Sequence, residues 1–92
     1  MSAILTSRSW EFDAPRGAAP IVTRHGNGFI TIEPLRLFVS RHMKWGLHIQ
    51  VEGRWVLKSG EYGHRLNSAV YNESNLTEAP AWVREAAVGV AR

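Results

Sequence analysis

The sequence predicts an α+β fold: a small antiparallel β-sheet of about five strands, rich in hairpins, with a C-terminal α-helix packed on one face. Three observations carry that prediction. Apolar and polar residues alternate through LHIQVEGRWVLK at 47–58, they alternate again on both sides of His25-Gly26-Asn27-Gly28, and after Pro80 the apolar spacing becomes helical.

Taken in chain order, residues 3–13 set Ile4, Thr6, Arg8, Trp10 and Phe12 on one side and mostly small or acidic groups on the other. That is the pattern of an edge strand whose polar members limit unwanted pairing. Residues 14–20, APRGAAP, must be a loop, because two prolines remove ladder donors and Gly17 favours a turn. Residues 21–33 form a hairpin about the two glycines and Asn27, with Arg24 opposite Phe29. Ile21, Thr23, Ile30 and Ile32 then point one way, and Val22, Arg24, Phe29, Thr31 and Glu33 the other.

Residues 35–45 satisfy two periodicities. Leu35, Leu37 and Val39 alternate as in a strand, while Leu35, Phe38, Val39, His42 and Met43 recur at helical spacing. A helix would put Leu37 in solvent, so the strand is preferred, although Pro34 and Gly46 would suit a helix start and stop. The strand lines up Arg36, Phe38, Ser40, His42 and Lys44 opposite Leu35, Leu37, Val39 and Met43.

Residues 47–58 read as a second hairpin with Val51-Glu52-Gly53 as a three-residue loop and Gly53 left-handed. Ile49 then faces Trp55 and Leu47 faces Leu57 on an apolar side, while Gln50 faces Arg54 and His48 faces Val56, with Lys58 joining them on the reverse side. A two-residue loop would mix Lys58 into the apolar side and is disfavoured. Residues 59–76 are rich in glycine, asparagine and serine and read mostly as loop, with one possible short strand at 68–71. Residues 80–91 form the helix, Pro80 in its first turn and Val83, Ala86, Ala87 and Val90 at helical spacing beside Trp82. A helix so short is marginal alone, so this stripe should dock on the sheet.

A chain of 92 residues has room for one domain, 1–92, and one modest core. Hydrophobic content of 45% and charged content of 21% are those of a folded chain. With no cysteine, the chain has no disulfide, thiolate nucleophile or cysteine-ligated metal. Neither a signal peptide nor a membrane span is evident, which leads to the expectation of a cytoplasmic protein with no membrane partner. Nine arginines against two lysines, with much alanine, glycine and valine, suggest a GC-rich bacterial or phage source.

The formal charge of +3 and pI near 10 permit a nucleic-acid or acidic partner without requiring one. On the predicted reverse face, Arg24, Arg36, Lys44, Arg54 and Lys58 gather around Phe29 and Phe38 with His42 and His48, opposed only by Glu33. Cations interleaved with aromatic rings are what single-stranded nucleic acid requires. The favoured expectation, however, is a non-enzymatic accessory module that binds a protein partner or self-associates. Four tryptophans, Trp10, Trp45, Trp55 and Trp82, are many for so small a core, and an open sheet leaves edges to pair. In either case the residues at stake are Arg24, Arg36, Phe38, Lys44, His48, Arg54 and Lys58.

Catalysis has less support. Glu61, His64 and Arg65 imitate the acid, base and phosphate clamp of a ribonuclease, but proximity in a loop says nothing of geometry. No cofactor or metal is expected, since His42 and His48 straddle Gly46 at a spacing unlike that of histidine sites, and Lys58-Ser59 lacks the glycines of a phosphate loop.

Overall fold

The computed structural model describes residues 7–44 and 46–91. Five strands form a single antiparallel sheet: β1 (Ser7–Asp13), β2 (Ile21–His25), β3 (Gly28–His42), β4 (Gly46–Val56) and β5 (Tyr62–Asn72). A short 3-10 turn, Leu76–Glu78, leads into the helix α1 (Ala81–Ala91). The α+β class predicted from the sequence is the observed one.

β3 organises the sheet. One of its edges pairs with β4, while β2 and β1 share the other edge end to end, β2 along Gly28–Ile32 and β1 along Arg36–His42. The register of β3 on β4 slips between Pro34 and Arg36, leaving Leu35 as the extra residue of a bulge. Pro34 has no amide to donate, and a bulge is where a sheet tolerates it. The bulge also changes the phase of the alternation, so that Ile32 is buried before it and Leu37 and Val39 after it. Two apolar runs out of step in the sequence thus become one 15-residue strand.

The threading of residues 47–58 differs from the tight hairpin predicted above. Val51, Glu52 and Gly53 lie in the middle of β4, opposite Leu37, Arg36 and Pro34, and no chain reversal occurs there. The reversals are between His42 and Gly46, where Gly46 takes a φ of +76° on entry to β4, and at 57–61, where Gly60 has a φ of +88° and Leu57 N–H donates to Glu61 O at 2.8 Å. Gly53 is needed for a different reason from the one predicted. A Cβ at this position would enter the shell of the Glu33 carbonyl oxygen and lie 2.9 Å from the Glu33 carbonyl carbon. Only glycine lets the two backbones approach this closely beside the bulge.

Residues 62–72, predicted mostly as loop, form a full edge strand on β4 with Val51 opposite Ala69 and Ile49 opposite Tyr71. Met43 and Lys44 belong to the β3–β4 turn instead of a strand, and Trp45 lies outside the described residues, as do Ile4 and Thr6. The β2–β3 hairpin has the predicted register, Arg24 opposite Phe29, with Gly26 at a φ of +58° in its turn.

One face of the sheet is the core. Leu37, Val39, Ile49, Val51 and Ala69 are buried there, with Trp10, Phe12 and Tyr71 half-buried beside them. α1 closes this face over β3 through Val83 and Ala87, with Trp82, Ala86 and Val90 packed around them. At the far end β2 comes within 8 Å of β5 without pairing with it. Three strand spacings in a flat sheet would separate them by about 14 Å, so the sheet curls there. None of the described helices is long and apolar enough to cross a membrane.

Candidate functional site

The helix leaves the second sheet face uncovered, and strand pairing fixes what lies on it. Directly opposed residues share a face, so the face can be read in rows across β1, β3, β4 and β5. Ser9, Ser40, His48 and Asn72 form one row, Glu11, Phe38, Gln50 and Val70 the next, and Asp13, Arg36, Glu52 and Ser68 the third. Beyond the bulge come Glu33, Arg54 and Leu66, then Val22, Thr31, Val56 and Tyr62, and finally Arg24 with Phe29.

Five of the residues singled out in the sequence, Arg24, Arg36, Phe38, His48 and Arg54, do share this face. Lys44 and Lys58 do not join them. They sit in the turns at opposite ends of β4, whose 11 residues span about 35 Å. Nor is Glu33 the only opposing charge, because Asp13 and Glu52 stand in the row of Arg36 and Glu11 in the adjacent row of Phe38. Three arginines therefore face four carboxylates, and the face is balanced where a basic one was predicted.

The charges are organised in local pairs. Arg36 Nη1 donates to Glu11 Oε1 at 2.8 Å, with both side chains about half exposed, so this bridge contributes under about 1 kcal/mol. The Arg54 guanidinium lies 5.3 Å from the centre of the Tyr62 ring, and the Tyr62 hydroxyl donates to Glu33 Oε2. Gln50 Nε2 donates to Ser68 Oγ at 2.9 Å across the β4–β5 ladder. Val22, Phe29, Tyr62, Leu66 and Val70 are each about half exposed or more, with Phe29 at 71%.

Both tyrosines of the chain have hydroxyl pKa values above the ordinary 10.0. For Tyr62 the causes are the hydrogen bond to Glu33 and that carboxylate's charge, opposed by Arg54, and for Tyr71 they are burial and then the charge of Glu78. A raised pKa favours the neutral phenol in the folded state. The stabilisation is complete below the unfolded pKa and is lost as pH rises through the folded one. In an alkaline titration the phenolate band should therefore lag that of a free tyrosine, with the exposed Tyr62 ionising in the folded chain. Phenolate absorbance with the midpoint of free tyrosine in a still folded chain would contradict both assignments.

The remaining candidates do not converge. His64 and Arg65 line a shallow cavity of about 280 Å³ with Trp55, Leu57 and Gly63, but Glu61 is not among its walls. Glu61 instead closes the β4–β5 turn through its carbonyl, with its N–H 3.4 Å from Ser59 Oγ. Among the described residues no three histidine or carboxylate side chains gather as metal ligands would. Trp10 and Trp82 are half-buried against the core, while Trp55, opposite Ile32 on the same side of the sheet, is half-buried in the wall of the shallow cavity beside Gly63. Of the exposed apolar residues of the open face, Val22 and Phe29 were placed there from the sequence, whereas Tyr62, Leu66 and Val70, in a stretch read mostly as loop, were missed. For Leu66 and Val70 the alternation in residues 66–70 was the signal. Compared with known proteins, the chain matches no family model, no curated protein and no solved structure.

Proposed function

We propose that this chain is a small non-enzymatic binding module whose helix-free sheet face docks a protein partner. The composition of that face supports the reading. Single exposed apolar residues are ordinary, but Val22, Phe29, Tyr62, Leu66 and Val70 flank the half-buried Phe38 and Val56 on one continuous surface. Aromatic and aliphatic anchors ringed by paired charges are the makeup of protein interfaces. A nucleic acid needs cations without competing carboxylates, and Glu11, Asp13, Glu33 and Glu52 interleave with the arginines here.

The test is capture from a bacterial lysate with the tagged chain, compared with a Phe29→Glu/Leu66→Glu variant. Both positions are exposed, so thermal stability should change little while the specifically retained partner is lost. A partner retained equally by the variant would contradict the reading. In parallel, single-stranded oligonucleotides at low salt should show no binding. Salt-sensitive binding abolished by Arg36→Ala or Arg54→Ala would instead assign the face to nucleic acid.

A further inference from the structure

We infer that the outer edge of β5 pairs with the same edge of a second copy, joining two sheets antiparallel about a twofold axis near Ser68. Edge strands present unpaired N–H and C=O groups, and folded proteins blunt them with charge, proline, bulges or short length. The opposite edge of this sheet has such devices. β1 carries Arg8, Glu11 and Asp13, and β2 is five residues long and follows Pro20. β5 is different: from Leu66 to Asn72 it reads LNSAVYN, with no charge, proline or glycine. Its register on β4 is regular over the same span, and the slip between Arg54 and Val56 lies outside it. The approach of β2 is level with Tyr62, at the other end of the strand, as the rows Val22–Thr31–Val56–Tyr62 require.

A second copy fits this edge through its own symmetry. Antiparallel pairing places residues of the same face opposite one another, so the sum of paired residue numbers must be even. Centring on Ser68 sets Leu66 against Val70 of the partner copy twice, once on each side of the axis. These two residues are 52% and 51% exposed in the single chain, and aliphatic cross-strand pairs are a stabilising unit of sheets. Because the axis relates equal edges, the pair closes, and the charged β1 edges at its two ends discourage further addition. Five residues of each copy, Leu66–Val70, pair within the uncharged span, with Tyr71 and Asn72 reaching Arg65 and His64 of the other copy, so the interface is small and the dimer should be of modest affinity. This contact is made by the backbone edge of β5, whereas the docking proposed above uses the sheet face; Leu66 and Val70 belong to both, so protection of the β5 amides is what separates the two.

The experiment is sedimentation equilibrium combined with residue-resolved amide exchange as concentration is raised. The expected result is a monomer–dimer equilibrium in which alternate amides between Leu66 and Asn72 gain protection with concentration. Val70→Lys, at an exposed site, should stay folded and dimerise at least tenfold more weakly. A chain that stays monomeric at about millimolar concentration would overturn the inference. So would a dimer whose β5 amides gain no protection, which would move self-association to the face.

Discussion

Replacing Gly53 by alanine is expected to destabilise the fold by about 3 kcal/mol, at the upper end of what overpacking costs. Gly53 is opposite Pro34, immediately before the Leu35 bulge, where a Cβ would press on the Glu33 carbonyl and come within 3.2 Å of Ile32 Cβ. Neither obstacle is the free end of a flexible side chain. Relief requires β3 and β4 to separate, which would break the ladder that anchors both buried strands. The measurement is a denaturant melt, read as a lowered midpoint with an unchanged slope. A loss of only about 1–2 kcal/mol is what a left-handed turn glycine would give, and that result would contradict the mid-strand placement. Gly60→Ala in the real turn, where no atom lies within 4 Å of a built Cβ, provides that comparison.

Truncating Ile49 to alanine is expected to cost about 4 kcal/mol, within the range for large-to-small changes in rigid cores. Ile49 has no exposed surface and stands in the row Trp10, Val39, Ile49 and Tyr71 that spans four strands. Neighbours fixed in the ladder on both sides cannot collapse into the space left behind. α1 rests on the same cluster through Val83 and Ala87, so the helix should loosen along with it. His48→Ala, one residue earlier and on the open face, should change stability by less than about 0.5 kcal/mol. Equal losses at the two positions in thermal or denaturant unfolding would mean that the faces are wrongly assigned.

The contrast between these residues shows what the sequence could reveal. Which side Leu47 to Gln50 and Arg54 to Val56 occupy was legible, because the alternation of Leu47, Ile49 and Trp55 against His48, Gln50 and Arg54 is a local property. A three-residue loop at 51–53 preserves that parity, so the predicted hairpin and the observed straight strand place the same side chains on the same faces. The threading was not legible. A glycine between Glu52 and Arg54 looks like a turn until the strand it touches is known, and its purpose lies in Glu33, twenty positions away. The β2–β3 hairpin could be read to the residue because Gly26 sits between two alternating runs that specify one another.

Two further readings depended on pairings that no local pattern supplies. β5 resembles a loop because an edge strand with one solvated face needs few apolar residues, and Ala69 and Tyr71 suffice to seat it on β4. The open face looked basic because Glu11 and Asp13 were assigned to a strand of unknown neighbour and Glu52 to a turn. Once β1 lies on Arg36–His42 and β4 runs straight, all three carboxylates enter the rows of Arg36 and Phe38. The charge that favoured nucleic acid is thereby offset, and the apolar residues between the pairs become the dominant feature.

The path of the chain through residues 46–56 determines the composition of the open face, and cross-strand nuclear Overhauser effects measure it directly. Backbone contacts from Gln50 to Phe38 and to Val70 are expected, together with Ile49 to Val39 and to Tyr71. Contacts from Gln50 to Arg54 and from Leu47 to Leu57, with none to Phe38 or Val70, would contradict the straight strand and dissolve the face built upon it.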